Sequence, residues 1–410
     1  MKEDSENLFV SQEEGLSVEE IARLGAQMML QQALEAEIQS YLTFYGDVKT
    51  QEDRPGVVRN GYHRSRRILS SYGPVEVAVP RSRSRTEGIP AFVSALIPKY
   101  MRKTLALEDA LPLFYLGGLS NGDFMPCFEK LFGSGVRGMS SASITRLKYR
   151  WSKELEQWRQ RDLDDAQYCY LWVDGIHFNL RLAEGRLCVL VVIGARADGR
   201  KELVAVAGGH RESTESWKTL LRDLKHRGMP CPRLCIGDGN LGFWHAVGDI
   251  YSDAAHQRCW VHKTANILDK VPKSVQSQAK TLIHDMYRAE TEKQARRTYQ
   301  EFIRRYQDKY PEAVHCLCKD EETLFTFYKF PAQHWQHIRS TNVIESTFAT
   351  VRLRTKKTRG HGTLDMTLAM VFKLTQRAAT RWRRLRGYKF IKLVFKGQTF
   401  KDGKLNNQAA

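Results

Sequence analysis

The sequence predicts a multidomain α+β protein, and three observations carry that reading. Residues 168–251 place apolar, β-branched runs next to capped amphipathic segments, the composition of an α/β layer. Residues 17–45, 104–160 and 263–335 carry apolar residues at helical spacing instead. Between the first two helical stretches, Val75, Val77 and Val79 alternate after a Tyr72-Gly73-Pro74 turn, a β-hairpin signal. The chain accordingly divides into a helical region (1–56), an Arg-rich β-hairpin region (57–103), a second helical region (104–167), the first part of an α/β core (168–262), an all-helical insertion (263–335) and a segment completing the core (336–410).

Each element has a local cause. Ser17 and Glu20 form a capping box, and Ile21, Leu24, Met28, Leu34, Ile38 and Leu42 follow at helical spacing, so 17–45 reads as a packing or dimerisation helix. From Arg59 to Arg85 there are seven Arg and one acid, Glu76; so many like charges on a short ribbon repel unless something neutralises them. Phosphate contact through Arg59, Arg64, Arg66 and Arg67 is the expectation. Residues 104–160 read as three helices punctuated by Gly117-Gly118 and by Gly133 to Gly138. The last carries Ser143, Thr145, Arg146, Lys148 and Arg150, which suits a helix-turn-helix.

From residue 168 the pattern changes. YCYLWVD, FNLRLA, LCVLVVIGARA and ELVAVAGGH read as strands, with Gly-containing turns at 184–186 and 198–200. STESWKTLLRDLKHRG is a helix capped by Ser213 and closed by Gly228; RLCIGD is a strand and LGFWHAVGDIY a helix. Strands in hairpin order, then helix, strand and helix, is the order of an RNase H-like α/β catalytic core. Residues 341–353 and 364–386 read as two further helices.

Composition narrows the function. Hydrophobic residues make up 42% of the chain, which excludes a disordered polycation. No apolar run approaches the length of a membrane span, and the acidic start MKEDSENLFVSQEEGLS lacks a signal-peptide core. The net charge of +18 calls for a polyanion, nucleic acid first and an anionic membrane surface second. Eight scattered Cys show no paired framework, so a reducing compartment with mostly buried thiols is expected. Cys231/Cys235 and Cys316/Cys318 lack the second pair a structural zinc site needs.

Three acids stand out. Asp174 ends the first α/β strand in LWVDGIH, and Asp238 ends a later one in CIGDGN. In this strand order the two would share a sheet rim, where α/β sites are built. Asp-Gly after one strand is an ordinary turn; two in a basic chain point to a site for hard divalent cations. Glu345, in HIRSTNVIESTFATVRLR, lies near a helix start on an apolar face with Ile344, Phe348 and Val351, ringed by Arg339, Arg352, Arg354, Lys356, Lys357 and Arg359. Asp174 and Asp238 are 64 residues apart, and Asp238 and Glu345 are 107, longer than one crossover needs; hence the predicted insertion at 263–335. Cys259 and His262, in CWVH, match half a zinc site, but no second pair follows at finger spacing. For His177 and His210 a satisfied core histidine is the better reading. Trp244, Trp260 and Trp335 could stack on an unpaired base, but at helical spacing among apolar residues core is the better reading, and Trp335, near the Glu345 block, is the one to test. Residues 339–389 carry 13 Lys+Arg against two acids: RLRTKKTRGHG reads as a flexible basic loop, and TRWRRLRGYK, with Arg381, Arg383 and Arg384, as a basic helix whose Trp382 and Leu385 face inward. Such a segment suits sequence-independent phosphate contact.

At these residues the sequence resembles the Mutator-like class of bacterial insertion-sequence transposases, from about residue 17 to 403. The blocks are YLWVDGIHFNLR, GGHRESTESWKTLLRDLKHRG, CIGDGNLGFWHAV, RCWVHKTANILDKVPKS, FPAQHWQHIRSTNVIESTFATVRLRTKKTRG and LAMVFKLTQRAATRWRRLRG. The resemblance implies that Asp174, Asp238 and Glu345 are DDE acids holding two Mg²⁺ per active site, with Mn²⁺ able to substitute. Cys259 and His262 match the family's Cys-x-x-His block and are expected as active-site supports. Val343 stands where the family usually has Pro, next to the helix start but not on the acid. The implied partners are double-stranded DNA, as terminal inverted repeats and target, and a second copy of the chain in a dimer on DNA, with no membrane. A cytoplasmic, nucleoid-associated bacterial protein is expected. The alternatives are a catalytically silent repressor or domesticated transposase, and an RNase H-like nuclease without strand transfer.

Overall fold

A computed structural model describes residues 16–120, 122–133, 136, 141–179, 186–209, 212–358 and 363–406. The chain is α+β and divides into two compact units, Met1–Leu147 and Lys148–Ala410. The division falls inside the region expected at 104–167, within a single long helix.

In the first unit, helix α1 (Val18–Phe44) starts at the expected capping box, with Ser17 Oγ accepting from the Glu20 N–H and the Glu20 carboxylate accepting from the Ser17 N–H. Its Leu34 and Ile38 are buried with Ile68, Val75, Val77, Val79, Phe92 and Ile97. Strand β1 (Val57–Tyr62) pairs antiparallel with β4 (Pro80–Ser84), and β2 (Arg66–Ser70) with β3 (Gly73–Val77). The β2–β3 turn closes on Gly73, whose φ of +102° a β-branched residue would resist. The three expected helices at 104–160 are α2 (Leu105–Gly117), α3 (Phe124–Phe132) and α4 (Ser141–Arg159); α4 crosses the division.

The second unit is organised by a five-stranded mixed sheet. Strands β5 (Tyr168–Asn179), β6 (Arg186–Arg196) and β7 (Lys201–Gly209) are antiparallel neighbours; β8 (Leu234–Gly237) pairs parallel with β5, and β9 (Ala255–Arg258) parallel with β8. The order is β7-β6-β5-β8-β9. Helices α5 (Thr214–His226) and α6 (Leu241–Ile250) bury Trp217, Leu221, Phe243 and Val247 against Leu171, Val173, Leu190 and Val192 of the sheet. The opposite face carries Tyr170 and Trp172, which bond His334 Nδ1 (2.6 Å) and the His337 carbonyl (2.8 Å). Helices α7 (Trp260–Leu268), α8 (Lys273–Arg288), α9 (Glu292–Tyr306) and α10 (Pro311–Cys318) follow β9. Asp320 accepts both Arg258 Nε (3.2 Å) and Lys263 Nζ (2.7 Å), so two buried cations share one acid where these helices meet the sheet edge. Helix α11 (Asn342–Thr358) packs on β5, and α12 (Leu364–Ala379) on β7.

Four expectations need correction. YCYLWVD and the start of FNLRLA are one strand, because the alternation continues through Ile176 and Phe178, and Gly175 pairs with Leu190 instead of turning. Asp174 therefore lies within β5, not at its end. Strand β9 (AHQR) was not expected: it is short and polar, and exists by pairing with β8. Residues 354–358, expected in a loop beyond the helix read at 341–353, continue α11. The basic segment after α12, expected as a helix, is irregular from Arg381 to Arg386, because its backbone groups are engaged elsewhere: Leu385 N–H bonds the Gly199 carbonyl, Arg386 N–H bonds His337 Nε2, and the Arg383 carbonyl accepts from Lys201 Nζ. The turn at 184–186 lies mostly outside the described residues. Among the described residues no helix is long and apolar enough to cross a membrane.

Candidate active site

The parallel register of β5 and β8 brings the first two acids together. Tyr170, Leu171 and Trp172 face Leu234, Cys235 and Ile236, an offset of 64 residues, and the same offset carries Asp174 to Asp238. Asp174 shares a strand face with Tyr170 and Trp172, the face on which α11 packs. Its side chain is buried, and its Oδ1 accepts the Gly175 N–H (2.8 Å). Burial, then the Asp238 charge, pushes the Asp174 carboxyl up to about 7. Asp238 follows β8 directly and holds its loop by accepting the Asn240 N–H (3.0 Å). Gly239 between them has φ +91°, and a Cβ there would meet Arg258 Nε at 2.1 Å, so the loop admits no side chain.

Glu345 reaches this region through a chain of backbone bonds. Cys259 N–H donates to the Gly237 carbonyl (2.8 Å), beside Asp238. Trp260 N–H donates to the Arg339 carbonyl (3.0 Å), and Thr341 N–H donates to Cys259 Sγ (3.3 Å). The first turn of α11 is thus docked on the start of α7, itself docked on the end of β8. Thr341, fully buried, is the hub: its Oγ1 lies 3.3 Å from Cys259 Sγ, 3.3 Å from His262 Nδ1 and 3.2 Å from Glu345 Oε1. His262 Nε2 is 3.7 Å from Glu345 Oε1.

This half of the site carries its own positive charge. The bond to Cys259 leads in pushing His262 up to about 9, against burial, with the charges of Cys259, Asp174 and Glu345 adding to it. Burial alone would raise the Cys259 thiol, but His262 and the Thr341 hydroxyl outweigh it and hold it below its ordinary range. Cys259, His262 and Glu345 offer ligand atoms within 4.8 Å of one another. Asp174 and Asp238 are not in that group; the group joined electrostatically to both Asp174 and Glu345 is His262.

Sequence reasoning missed Glu212. It lies just before Ser213, the N-cap of α5, and its carboxylate bonds His177 Nε2 (3.2 Å) and Asn240 Nδ2 (2.9 Å). Burial and the Asp238 charge raise its pKa. His177 is therefore not the core histidine expected: its side chain is 45% exposed and paired with Glu212. The signal in the sequence was only an acid before a helix cap, which is common. His177, Cys188 and Glu212 form a second group of ligand atoms within 4.8 Å, but burial pushes the Cys188 thiol up to about 12, which disfavours it as a metal ligand.

The basic residues separate into two kinds. Arg64, Arg67, Arg146, Arg352, Arg381, Arg383 and Arg384 are exposed. Arg59 is tied to Glu35 (2.7 Å). Three others depart from the expected phosphate contact. Arg66 donates to the Ile97, Pro98 and Lys99 carbonyls, fastening a loop of its own unit. Arg339 is held by the Tyr287 carbonyl (2.8 Å) and lies over the Tyr287 ring. Arg354 is buried at 2% exposure, facing the interior because α11 presents it there. Lys148 is half-buried and its pKa is lowered by desolvation. Nothing is described for Arg359 or His210, nor for the side chains of Lys356 and Lys357. Trp335 packs as the core reading expects: it donates Nε1 to the Phe330 carbonyl (2.8 Å) and lies edge-on against Phe327 and Tyr328. Trp260 is buried with Nε1 on the Leu324 carbonyl, and Trp244 stacks on His256.

The family model described as "Transposase, Mutator family" matches residues 2–384. A transposase for insertion sequence element IS6120 of Mycolicibacterium smegmatis is 50% identical over 299 residues, 73% of this chain and 92% of that protein. A transposase for IST2 of Acidithiobacillus ferrooxidans is 44% identical over 67% of this chain and 93% of its own length. A transposase for IS905 of Lactococcus lactis is 28% identical over 85% and 86% respectively.

Proposed function

The chain belongs to the Mutator family of transposases, and on that premise we propose that it is the DNA transposase of an insertion sequence. It would bind the element's terminal inverted repeats, cleave the DNA there and join the freed 3′-hydroxyl to target DNA. The observation that carries the catalytic reading is the β5–β8 register, whose 64-residue offset, continued beyond β8, would set Asp174 beside Asp238, with α11 and its Glu345 packed on β5. The strand order β7-β6-β5-β8-β9, with an acid on β5 and another after β8, supports an RNase H-like core in which helices α7 to α10 are the insertion.

The donor set fits hard divalent cations. It consists of carboxylates, and Asp174, raised to about 7, is an acid short of positive charge. Asp174, Asp238 and Glu345 would hold two Mg²⁺, or Mn²⁺. When bound, these would lower the pKa of the attacking oxygen and offset charge on the phosphate. The chain's own residues do the rest. Asp174 would hold the cation as its deprotonated carboxylate. Thr341 Oγ1, 3.2 Å from Glu345 Oε1, fixes the third acid. His262, charged at neutral pH and joined electrostatically to Asp174 and Glu345, would be a fixed cation that a scissile phosphate meets. In cleavage, water attacks phosphorus and the 3′ oxygen departs as a hydroxyl; in joining, that hydroxyl attacks a target phosphate and a target 3′-hydroxyl departs. Exposed Arg381, Arg383, Arg384 and Arg352 would hold backbone phosphates, and exposed Arg64, Arg67 and Arg146 would serve end binding. A homodimer pairing two ends, in the bacterial nucleoid, completes the reading.

The test is end joining in Mg²⁺. The protein is mixed with duplexes taken from the DNA flanking its gene and with a plasmid target. Joined products that vanish in EDTA and in Asp174→Asn support the proposal. Nicks without joining would make it a nuclease, and specific binding without either would make it a repressor.

A further inference from the structure

Glu212 sits where two parts of the site meet. Its Oε1 is 3.2 Å from His177 Nε2, three residues beyond Asp174 on β5. Its Oε2 accepts from Asn240 Nδ2 (2.9 Å), two residues beyond Asp238. Asn240 is fully engaged: its backbone N–H binds Asp238 Oδ1 (3.0 Å), and its side-chain oxygen caps α6 by accepting the Gly242 N–H (2.8 Å). One carboxylate therefore joins β5 to the loop that carries Asp238.

The neighbouring backbone is shaped around it. A Cβ at Gly175 would stand 2.1 Å from Glu212 Oε1, so a side chain after Asp174 would displace that carboxylate from its partners. A Cβ at Gly242 would stand 2.7 Å from the Glu212 carbonyl oxygen. The Ser213 cap, accepting the Ser216 N–H, pins the next residue at the start of α5. The Glu212 side chain is 12% exposed, and both of its oxygens are bonded. Along β5, Gly175 and His177 alternate with Asp174, so Glu212 meets the strand on the face opposite the one α11 covers.

We infer that Glu212 is a positioning residue: its two hydrogen bonds set the spacing between Asp174 and Asp238, and thereby the grip of that pair on a divalent cation. The second half of this statement rests on the DDE reading above; the first half does not.

The experiment uses the full chain. Hydrogen exchange of the metal-free protein is followed across residues 238–242, and Mn²⁺ binding is titrated by electron paramagnetic resonance. Glu212→Ala is expected to exchange faster there and to weaken Mn²⁺ binding, each by about 10-fold, as the loss of one or two buried hydrogen bonds implies. Glu212→Gln can still accept from Asn240 and donate to an unprotonated His177 Nε2, so both readouts should stay within about 3-fold of wild type. Asn240→Ser keeps the helix cap but removes the donor, and should follow Glu212→Ala if that variant does not fold. Unchanged exchange in Glu212→Ala and Asn240→Ser would overturn the inference. So would a Gln variant as impaired as Ala, since charge and not position would then matter. If Asp174→Asn binds Mn²⁺ like wild type, the DDE reading fails, while the exchange data still judge the positioning.

Discussion

The two Asp and the Glu reach one region by different physics. Asp174 and Asp238 are set by strand register, on neighbouring parallel strands 64 residues apart in sequence. Glu345 is set by a relay of bonds through Gly237, Cys259 and Thr341. The halves also differ in charge. Asp174 is buried and Asp238 half-buried beside another acid, Glu212, and burial, then the Asp238 charge, raises Asp174 to about 7. Glu345 faces His262, which Cys259 keeps protonated up to about 9. The difference teaches that one half gathers negative charge, while the other carries a positive charge of its own.

The largest effect should come from removing the raised acid. Asp174→Asn should lower strand transfer by at least about 10³-fold, the usual scale for losing a metal-held charge at a reacting phosphate. The same change should stabilise the protein in EDTA. The folded pKa of Asp174 is raised, so ionising it at higher pH costs folding energy: stability is fullest below about 4 and is lost as pH rises through about 7. Asn escapes that loss, by roughly 2–4 kcal/mol at pH 8, and the two proteins should converge near pH 4. Thermal melts at the two pH values check this; a variant less stable than wild type at pH 8 would break the contrast.

Next is the half that carries its own charge. Cys259→Ala should cost about 1–3 kcal/mol and bring His262 back toward the ordinary range near 6.5. The raised His262 pKa gives stability that is lost as pH rises through about 9, and the lowered Cys259 pKa gives stability that is lost as pH falls, so the variant should fall furthest behind wild type between those limits. NMR titration of the ring reads it directly.

A smaller effect separates the basic residues. Replacing Arg381, Arg383 and Arg384 with Ala should weaken DNA binding alike for all sequences and reduce the salt slope by about 2–3. Arg354→Ala, at a buried position, should lower the melting temperature instead. Smallest of all, Trp335→Phe should cost about 1 kcal/mol for its bond to Phe330 and leave strand transfer unchanged. Lost activity there would restore base stacking.

The sheet half of the site was legible in the sequence because alternation and parallel order fix neighbours at a distance. Even so, Asp174-Gly175 looked like a turn, since only tertiary pairing with Leu190 keeps Gly175 extended. The helix half was visible as motifs, but not as geometry. Thr341 passed unnoticed because nothing local marks a hydroxyl that will meet Cys259, His262 and Glu345. Glu212 was hidden for the same reason: its partners are His177 and Asn240, each far along the chain. The basic residues misled most, because charge in a sequence does not tell a surface Arg381 from an Arg354 folded inward.

The central claim is that Asp174, Asp238 and Glu345 close on a common divalent cation. Loading the protein with Fe²⁺ and generating hydroxyl radicals in place cuts the backbone wherever the ion sits. The account predicts cuts clustered around residues 174, 238 and 345, suppressed by excess Mg²⁺ and lost in Asp238→Asn. Cuts around 174 and 238 with none near 345, or a pattern unchanged in Asp238→Asn, would contradict it.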